Sequence, residues 1–236
     1  MLDSTGRVAL VSGANRGIGR ALATRLASAG WRLSLGARRP ETLTESFGPE
    51  TEDRRHFRFD AQDRASYSAW VAGTLTAFGR IDALVNNAGT SNRFTIENGD
   101  EADLDALWTI NVKGPLFMTR FCLPHLRISG QGRILNVASL SGKRVRNENV
   151  AYNMTKHALI ALSHGTRRIG WEDGIRVTTL CPSFVRTDLT ADVTKVGLEA
   201  MIPPDDLAEL AITALALPNN AAIPELLVNC RLEDQF

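Results

Sequence analysis

Short apolar runs alternate along the chain with longer segments in which apolar residues recur every three or four positions. The short runs have the length of strands, and the longer segments have the period of amphipathic helices. The strand-like runs cover residues 7–13, 31–38, 54–60, 82–89, 132–139, 175–183 and 224–230. The helical patterns cover residues 17–30, 64–79, 100–126, 150–171 and 205–217. This alternation predicts an α/β fold: a doubly wound parallel sheet of about seven strands with helices on both faces.

The length and composition of the chain fit one globular domain. Its 236 residues can bury a sizeable core, and no internal repeat, low-complexity tract or long linker divides them. We therefore expect a single domain over residues 1–236. The formal net charge of +1 does not point to nucleic acid or an anionic membrane as a partner.

The three cysteines, Cys122, Cys181 and Cys230, are odd in number and far apart. This argues against a disulfide framework and for a reducing compartment. Neither the cysteines nor the four histidines have the spacing of metal ligands, so we expect no metal site. The first residues lack a signal-peptide pattern, and no apolar run reaches the length of a membrane span. These features predict a cytoplasmic protein with no membrane partner.

The first strand leads into a glycine-rich stretch, SGANRGIG, at residues 12–19. Gly13, Gly17 and Gly19 stand between a strand and a helix, where glycines permit a tight turn and a close approach of backbone to ligand. The free N–H groups and the positive dipole end of that helix favour a pyrophosphate. A glycine-rich turn without a ligand is the alternative interpretation.

The end of the second strand indicates which dinucleotide would bind. NAD-binding folds usually have a carboxylate there for the ribose 2′-hydroxyl, but this chain has Ala37, Arg38 and Arg39. Guanidinium groups suit a 2′-phosphate, and Arg16 in the glycine turn adds another. We therefore expect NADP(H) to be preferred over NAD(H). The alternative is that these arginines are solvated surface groups.

Tyr152 and Lys156 form a candidate pair for proton chemistry. Because they are four residues apart in a helical pattern, they should lie on one face of the helix. A free phenol has a pKa of about 10, and a nearby positive charge favours its ionised form. Such a pair, taken alone, is more often a half-exposed tyrosine beside a solvated lysine.

Other polar stretches should meet this pair at the carboxyl edge of the sheet. NNAG at residues 86–89 follows the fourth strand, and Ser139 and Ser141 follow the fifth. Ligands of doubly wound sheets bind beyond the carboxyl ends of the strands. Each stretch alone could simply end a strand or make a turn. Their common placement instead predicts one site that they share with the glycine turn and Tyr152.

Together, these motifs resemble the classical short-chain dehydrogenase/reductase family. The resemblance runs from about Gly6 to Asp188. The motifs that carry it are the glycine turn, NNAG, NVKG at 111–114, SLSG at 139–142 and YNMTK at 152–156. The resemblance implies a Rossmann-type fold, with a cofactor half over about residues 1–90 and a catalytic and substrate half over about residues 91–236.

The resemblance also implies a Ser–Tyr–Lys–Asn tetrad. Tyr152 would be the general acid–base, and Ser139 would hydrogen-bond the substrate oxygen. Lys156 would bind the nicotinamide ribose and lower the pKa of the tyrosine. Asn111 would hold a water in a proton relay behind Lys156. Asp60 would contact the adenine. The residues expected to bind the cofactor are Gly13, Asn15, Arg16, Gly17, Ile18, Gly19, Arg38, Arg39, Asp60, Ala61, Asn87, Ala88, Gly89, Pro182, Val185 and Thr187.

The chain departs from the family pattern in three places. Ser12 replaces the usual threonine but keeps the hydroxyl, and Ser183 replaces the glycine that commonly follows Pro182. The last residues, PELLVNCRLEDQF, lack the glycines with which many members close. This last departure weakens an assignment to the 3-oxoacyl reductases.

We therefore expect an NADP(H)-dependent oxidoreductase that acts on a carbonyl or alcohol. A non-catalytic NADP-binding sensor with the same fold is the main alternative. A serine hydrolase is disfavoured because the middle of ASLSG is Leu140, so the G-x-S-x-G elbow is missing.

The substrate is not identified by the sequence. Residues 188–203 should form the loop that determines specificity. Residues 142–150, which we call the basic loop, carry Lys143, Arg144 and Arg146. One arginine there could receive an anionic substrate group, or the loop could be merely solvated. The helical patterns 100–126 and 150–171 are the expected contacts of a homodimer or homotetramer.

Overall fold

The computed structural model describes residues 1–233 and Gln235, and within them seven parallel strands form one sheet. The strands are β1 (Val8–Ser12), β2 (Arg32–Ala37), β3 (Arg54–Arg58), β4 (Ala83–Asn86), β5 (Arg133–Val137), β6 (Arg176–Pro182) and β7 (Glu225–Val228). Their order is β3-β2-β1-β4-β5-β6-β7. The order reverses between β1 and β4, as in doubly wound dinucleotide-binding folds, and it confirms the predicted fold class.

Helices cover both faces of this sheet. They are α1 (Gly17–Ser28), α2 (Glu41–Phe47), α3 (Arg64–Phe78), α4 (Glu101–Trp108), α5 (Gly114–Ser129), α6 (Val150–Gly170) and α7 (Pro204–Leu215). Helices α1 and α7 pack on one face, and α3 and α5 pack on the other with α6 beside them. Successive strand residues point to opposite faces, so Ala9 and Val11 join the first cluster while Val8 and Leu10 join the second.

The structure divides the predicted helical stretch 100–126 into α4 and α5, which are joined by a π-helical turn at Thr109–Lys113. Pro115 accounts for the interruption, because it has no N–H group to donate to the carbonyl of Asn111, four residues earlier. In the turn, the Gly114 N–H instead donates to the carbonyl of Thr109, five residues earlier. The sequence patterns also did not reveal α2, which is only seven residues long.

The carboxyl ends of the parallel strands lie along one edge of the sheet. Ser12, Asn86, Val137 and Pro182, which end β1, β4, β5 and β6, are therefore on the same side. The candidate site lies at this edge, where doubly wound sheets bind their ligands. Along the described part of the chain, no helix is long and apolar enough to cross a bilayer.

Candidate active site

The glycine turn and the NNAG stretch are held together by Ser12. The Ser12 hydroxyl accepts hydrogen bonds from the N–H groups of Asn87 and Ala88, both at 3.0 Å. The Asn87 side-chain amide in turn donates to the carbonyls of Ser12 and Gly13, both at 3.0 Å. The hydroxyl that Ser12 shares with the usual threonine thus joins the ends of β1 and β4 and fixes the shape of the turn between them.

Two of the glycines in the turn are required by its geometry. Gly17 has φ +53°, a left-handed conformation that side chains disfavour. A Cβ atom on Gly19 would lie 2.2 Å from the carbonyl oxygen of Gly13, so only glycine lets α1 approach the turn. Helix α1 begins at Gly17 with neither a side-chain cap nor an acidic residue in its first turn. Its N–H groups therefore fit an anion such as a pyrophosphate.

A cleft of about 610 Å³ runs along this edge of the sheet. Every residue predicted for the site lines the cleft except Gly19 and Asn111, which are buried behind it. The cleft therefore brings the glycine turn, the ends of four strands and the Tyr152–Lys156 pair into one space. Among the described residues, no group of three His, Cys, Asp or Glu side chains is arranged to hold a metal ion.

The end of β2 presents positive charge to the cleft. Ala37 is buried and is the last residue of the strand, and Arg38 and Arg39 follow it as exposed side chains. Arg38 forms no ion pair with any residue that the structure describes. Arg16 instead donates a 2.9 Å hydrogen bond to Asp188, a partner that the sequence did not suggest. Within the described residues, the guanidinium groups of Arg38 and Arg39 are thus less engaged than that of Arg16.

Tyr152 and Lys156 lie on the first turns of α6, whose N-terminus is capped by Asn149. The Asn149 side chain accepts a 3.3 Å hydrogen bond from the Tyr152 N–H. The Lys156 ammonium is 5.5 Å from the centroid of the Tyr152 ring and donates a 3.0 Å bond to the carbonyl of Val137. The Ser139 side chain acts on the Tyr152 phenol, whose pKa it lowers. The three side chains thus meet where β5 ends and α6 begins.

The protein environment does not give Tyr152 the lowered pKa that the family resemblance implied. Burial raises the pKa of Tyr152 to about 12, and the Ser139 side chain opposes this only in part. Burial also lowers the pKa of Lys156 to about 8, which makes its positive charge easier to lose. The phenol is therefore protonated at neutral pH and is suited to give a proton rather than to take one.

Asn111 sits in the π-helical turn behind Lys156. Its side-chain amide donates to the carbonyl of Thr90 at 2.9 Å and to the Thr155 hydroxyl at 3.2 Å, and its side-chain oxygen accepts from the Thr90 N–H. The side chain is thus engaged with protein groups. Pro115 cannot donate the α-helical hydrogen bond to the main-chain carbonyl of Asn111.

The basic loop differs from both expectations for it. Its charged residues do not line the cleft, and Lys143, Arg144 and Arg146 pair with carboxylates near the end of the chain, although Arg146 remains exposed. Lys143 lies 2.7 Å from Glu225, the first residue of β7. Arg144 makes two hydrogen bonds, of 3.0 and 2.8 Å, with the buried carboxylate of Glu233. The Arg144 guanidinium is thus already paired, and it does not line the cleft in which one arginine of the loop was expected to receive an anionic substrate group.

Comparisons with known proteins bear on the family and the fold of the chain. A family model described as short chain dehydrogenase matches residues 7–196. An agropine synthesis reductase of Rhizobium rhizogenes is 44% identical over 227 residues, which cover 96% of this chain and 53% of that protein. The chain thus spans about half the length of the curated relatives of that name.

Two solved structures are similar to the chain over nearly its whole length. A metagenomic short-chain oxidoreductase in complex with NADP is 30% identical, with a TM-score of 0.82, and the match covers 98% of this chain and 100% of the other. A 3-ketoacyl-(acyl-carrier-protein) reductase from Brucella melitensis, in complex with NADH, is 29% identical, with a TM-score of 0.88. That match covers 96% of this chain and 98% of the other.

Proposed function

The chain belongs to the short-chain dehydrogenase family of oxidoreductases, and on that premise we propose that it is an NADP(H)-dependent enzyme that interconverts a carbonyl and an alcohol. One observation carries the proposal: Ser139, Tyr152 and Lys156 line the same cleft as the glycine turn. A fold of this kind can also serve in binding alone. A proton donor beside a dinucleotide cleft is needed for turnover but not for binding.

We assign the proton chemistry to Tyr152. When bound, the nicotinamide supplies the hydride to the substrate carbon, and the protein must orient the substrate and provide the proton. Tyr152 is protonated at neutral pH, so its hydroxyl can donate to the developing alkoxide. Ser139, which lines the same cleft, would hydrogen-bond the same substrate oxygen. The charge on Lys156 and a water on the Asn111 carbonyl would help to replace the proton.

We propose that NADP(H) is preferred over NAD(H). Two observations support the preference: Ala37 stands where NAD-binding folds usually have a carboxylate, and Arg38, which forms no ion pair with the residues that the structure describes, follows it. The two similar structures were solved with NADP and with NADH, respectively. Either nicotinamide cofactor is therefore compatible with the fold, so the preference depends on the residues at the end of β2.

We further propose reduction as the main direction, which the name of the agropine synthesis reductase supports. That protein is about twice as long as this chain, so the proposal concerns the reaction of the shared part and not the substrate of the whole relative. We also propose a cytoplasmic homo-oligomer. The three cysteines are free, which suits a reducing compartment, and apolar residues are exposed on α5 and α6.

The test is a panel of aldehydes, ketones and sugar-derived carbonyl compounds, with consumption of NADPH and of NADH followed in parallel. We expect at least one substrate to be reduced, and faster with NADPH. Binding of NADPH, measured by its fluorescence, without turnover of any panel member or of the corresponding alcohols with NADP would favour the sensor. Binding of neither nucleotide would contradict both functions.

A further inference from the structure

The segment that follows β7 crosses the carboxyl edge of the sheet and ends beside the basic loop. It first runs along the loop after β6, where the Ser183 N–H donates a 2.8 Å hydrogen bond to the carbonyl of Val228. Further on, the guanidinium of Arg231 lies 5.7 Å from the centroid of the Phe184 ring. The segment then reaches Glu233, which is only 3% exposed although it is charged. We call residues 228–233 the tail segment.

Glu233 is buried because two arginines of the basic loop surround its carboxylate. Arg144 makes two hydrogen bonds to it, one to each oxygen, and Arg146 lies 3.3 Å from it. The side chains of Arg144 and Glu233 are 10% and 0% exposed. A two-point pair of this kind fixes the orientation of both partners. Removing one partner from a buried pair leaves the other charge without compensation, which is strongly unfavourable.

The basic loop joins the two residues that would handle the substrate oxygen. It begins just after Ser139 and ends where α6 begins, two residues before Tyr152. Within the loop, the Asn147 amide donates to the Ser141 hydroxyl at 3.4 Å, and Asn149 caps the first turn of α6. A displacement of the loop would therefore move Ser139 at one end and Tyr152 at the other.

We propose that Glu233 is a positioning residue for the proposed reaction: by holding Arg144, it fixes the basic loop and with it the geometry of Ser139 and Tyr152. The inference rests on the proposed function, since it assigns these two residues to the substrate oxygen. Glu233 itself does not line the cleft. A shift of about 1 Å in a group that handles a proton can reduce the rate by up to about a hundredfold. Binding of the dinucleotide, which depends on other loops, should be unaffected.

The experiment compares Glu233→Gln with the wild-type chain in three measurements. We expect kcat per cofactor-binding site, titrated with NADPH, to fall about tenfold. The Kd for NADPH should stay within twofold. Hydrogen exchange should become faster at the backbone amides of residues 142–152. The double exchange Glu233→Arg with Arg144→Glu should restore part of the rate. Asp173→Asn, which removes the 2.6 Å pair with Arg127 at the opposite edge of the sheet, is the matched control and should change none of these.

The outcomes separate this inference from the proposed function. If Glu233→Gln retains the wild-type rate per binding site and the wild-type exchange, the inference is overturned. Activity could also fall only because fewer molecules bind NADPH, so that kcat per binding site and the hydrogen exchange at residues 142–152 stay as in the wild type. The ion pair would then be merely structural, and the inference would again be overturned. If the wild-type chain turns over no substrate, the proposed function fails, and the exchange measurement alone still decides whether Glu233 holds the loop.

Discussion

Arg16 and Asp188 form an ion pair in the candidate cofactor cleft, with Nη1 of Arg16 2.9 Å from Oδ2 of Asp188. Arg16 belongs to the glycine turn, and Asp188 begins the loop that we expect to determine specificity, so the pair links two segments that both line the cleft. The two side chains are 67% and 71% exposed. Exposed pairs contribute only about 0–1 kcal/mol, so a 2′-phosphate could compete with Asp188 for Arg16.

This relationship predicts the effect of Asp188→Asn. The change frees Arg16, so NADPH should bind more tightly by up to about fivefold, the factor that corresponds to about 1 kcal/mol. NADH has no 2′-phosphate and should gain less. The measurement is the ratio of the two Kd values, and Asp192→Asn in the same loop is the control for the loss of one negative charge. An equal gain for both nucleotides would mean that Arg16 acts on the shared diphosphate and not on the 2′-phosphate.

Arg38 should contribute more to the cofactor preference than Arg16. It is exposed at the end of β2 and, within the described residues, forms no ion pair. A hydrogen bond to a charged group contributes about 1.5–3 kcal/mol, so Arg38→Leu should lower the preference for NADPH by roughly ten- to a hundredfold. Adding Ala37→Asp should reverse the preference, because the new carboxylate repels the phosphate and accepts from the 2′-hydroxyl of NADH.

The control for this prediction is Arg39→Leu, which removes the same charge one residue further on. We rank Arg39 below Arg38 and expect a smaller change in the ratio. Equal Kd values for NADH and NADPH in the wild-type protein at moderate salt would contradict the assignment. So would an Arg38→Leu variant whose ratio is that of the wild type.

The parallel sheet could be predicted from the sequence because each of its strands is a local feature. Every one of the seven strand-like runs contains an observed strand. Short apolar runs between helical patterns are typical of buried strands in a parallel sheet. The division of the stretch 100–126 had a signal, Pro115, but the continuous apolar pattern around it concealed the break. Helix α2 is too short for its periodicity to be recognised.

Most residues that line the cleft could also be predicted from the sequence. The long-range ion pairs of the structure could not. The motifs that line the cleft each follow a strand, and a parallel sheet brings such positions together. Arg16 and Asp188 are 172 residues apart, and Arg144 and Glu233 are 89 apart. Such a pairing depends on how the loops pack, which no local pattern encodes. The pairing of Arg144 with Glu233 was consequently not predicted.

Tyr152→Phe tests the proton chemistry most directly. The change removes the phenolic hydroxyl but keeps the ring, so NADPH should bind nearly as in the wild type. Turnover should fall by roughly 10²–10⁴-fold, the usual contribution of general acid–base catalysis. Steady-state rates with the best substrate of the panel are the measurement. A wild-type rate in Tyr152→Phe would eliminate the proposed mechanism.

Lys156→Ala should weaken cofactor binding and slow turnover together. Its ammonium lies next to Tyr152 and in the same cleft as the glycine turn, so we propose that it serves both. Separate measurements of Kd and kcat would reveal the two effects. A change in only one of them would restrict Lys156 to a single role.

Apolar residues on the outer faces of α5 and α6 predict self-association. Phe121 and Ile128 on α5 and Ile169 on α6 are 38%, 83% and 63% exposed, while Leu159 on α6 is buried in the core. A helix that is apolar on two faces needs two packing partners. We expect sedimentation to give a dimer or tetramer, and Phe121→Glu with Ile169→Glu to give monomers. Ile96→Glu, at an exposed isoleucine outside both helices, is the control. A wild-type monomer at micromolar concentration would contradict this prediction.

Burial of Lys156 predicts a specific dependence of stability on pH. The pKa of Lys156 is lowered from its ordinary value of 10.5 to about 8 by loss of hydration. Below about pH 8, the folded and unfolded states are both charged, and the folded protein carries the full cost of the buried ammonium. Between pH 8 and pH 10.5 the unfolded chain still binds the proton that the folded protein has released. The free energy of unfolding contributed by Lys156 therefore rises with pH across this range.

Lys156→Met removes this titration but keeps a side chain of similar length. At neutral pH the variant has no buried charge, so its free energy of unfolding lacks the destabilising contribution of the Lys156 ammonium. That contribution is roughly 3 kcal/mol, at about 1.4 kcal/mol per pKa unit. This advantage over the wild type should shrink as the pH rises from 8 to 10.5, because the wild-type lysine becomes neutral when folded. Tyr152, whose raised pKa lowers stability at alkaline pH, is present in both proteins, so its effect largely cancels in the difference. Lys156 lowers the pKa of Cys181, so Cys181→Ala is introduced into both proteins. Urea unfolding of both proteins at several pH values measures this difference. A difference that stays constant from pH 7 to pH 10.5 would show that Lys156 keeps an ordinary pKa in the folded protein.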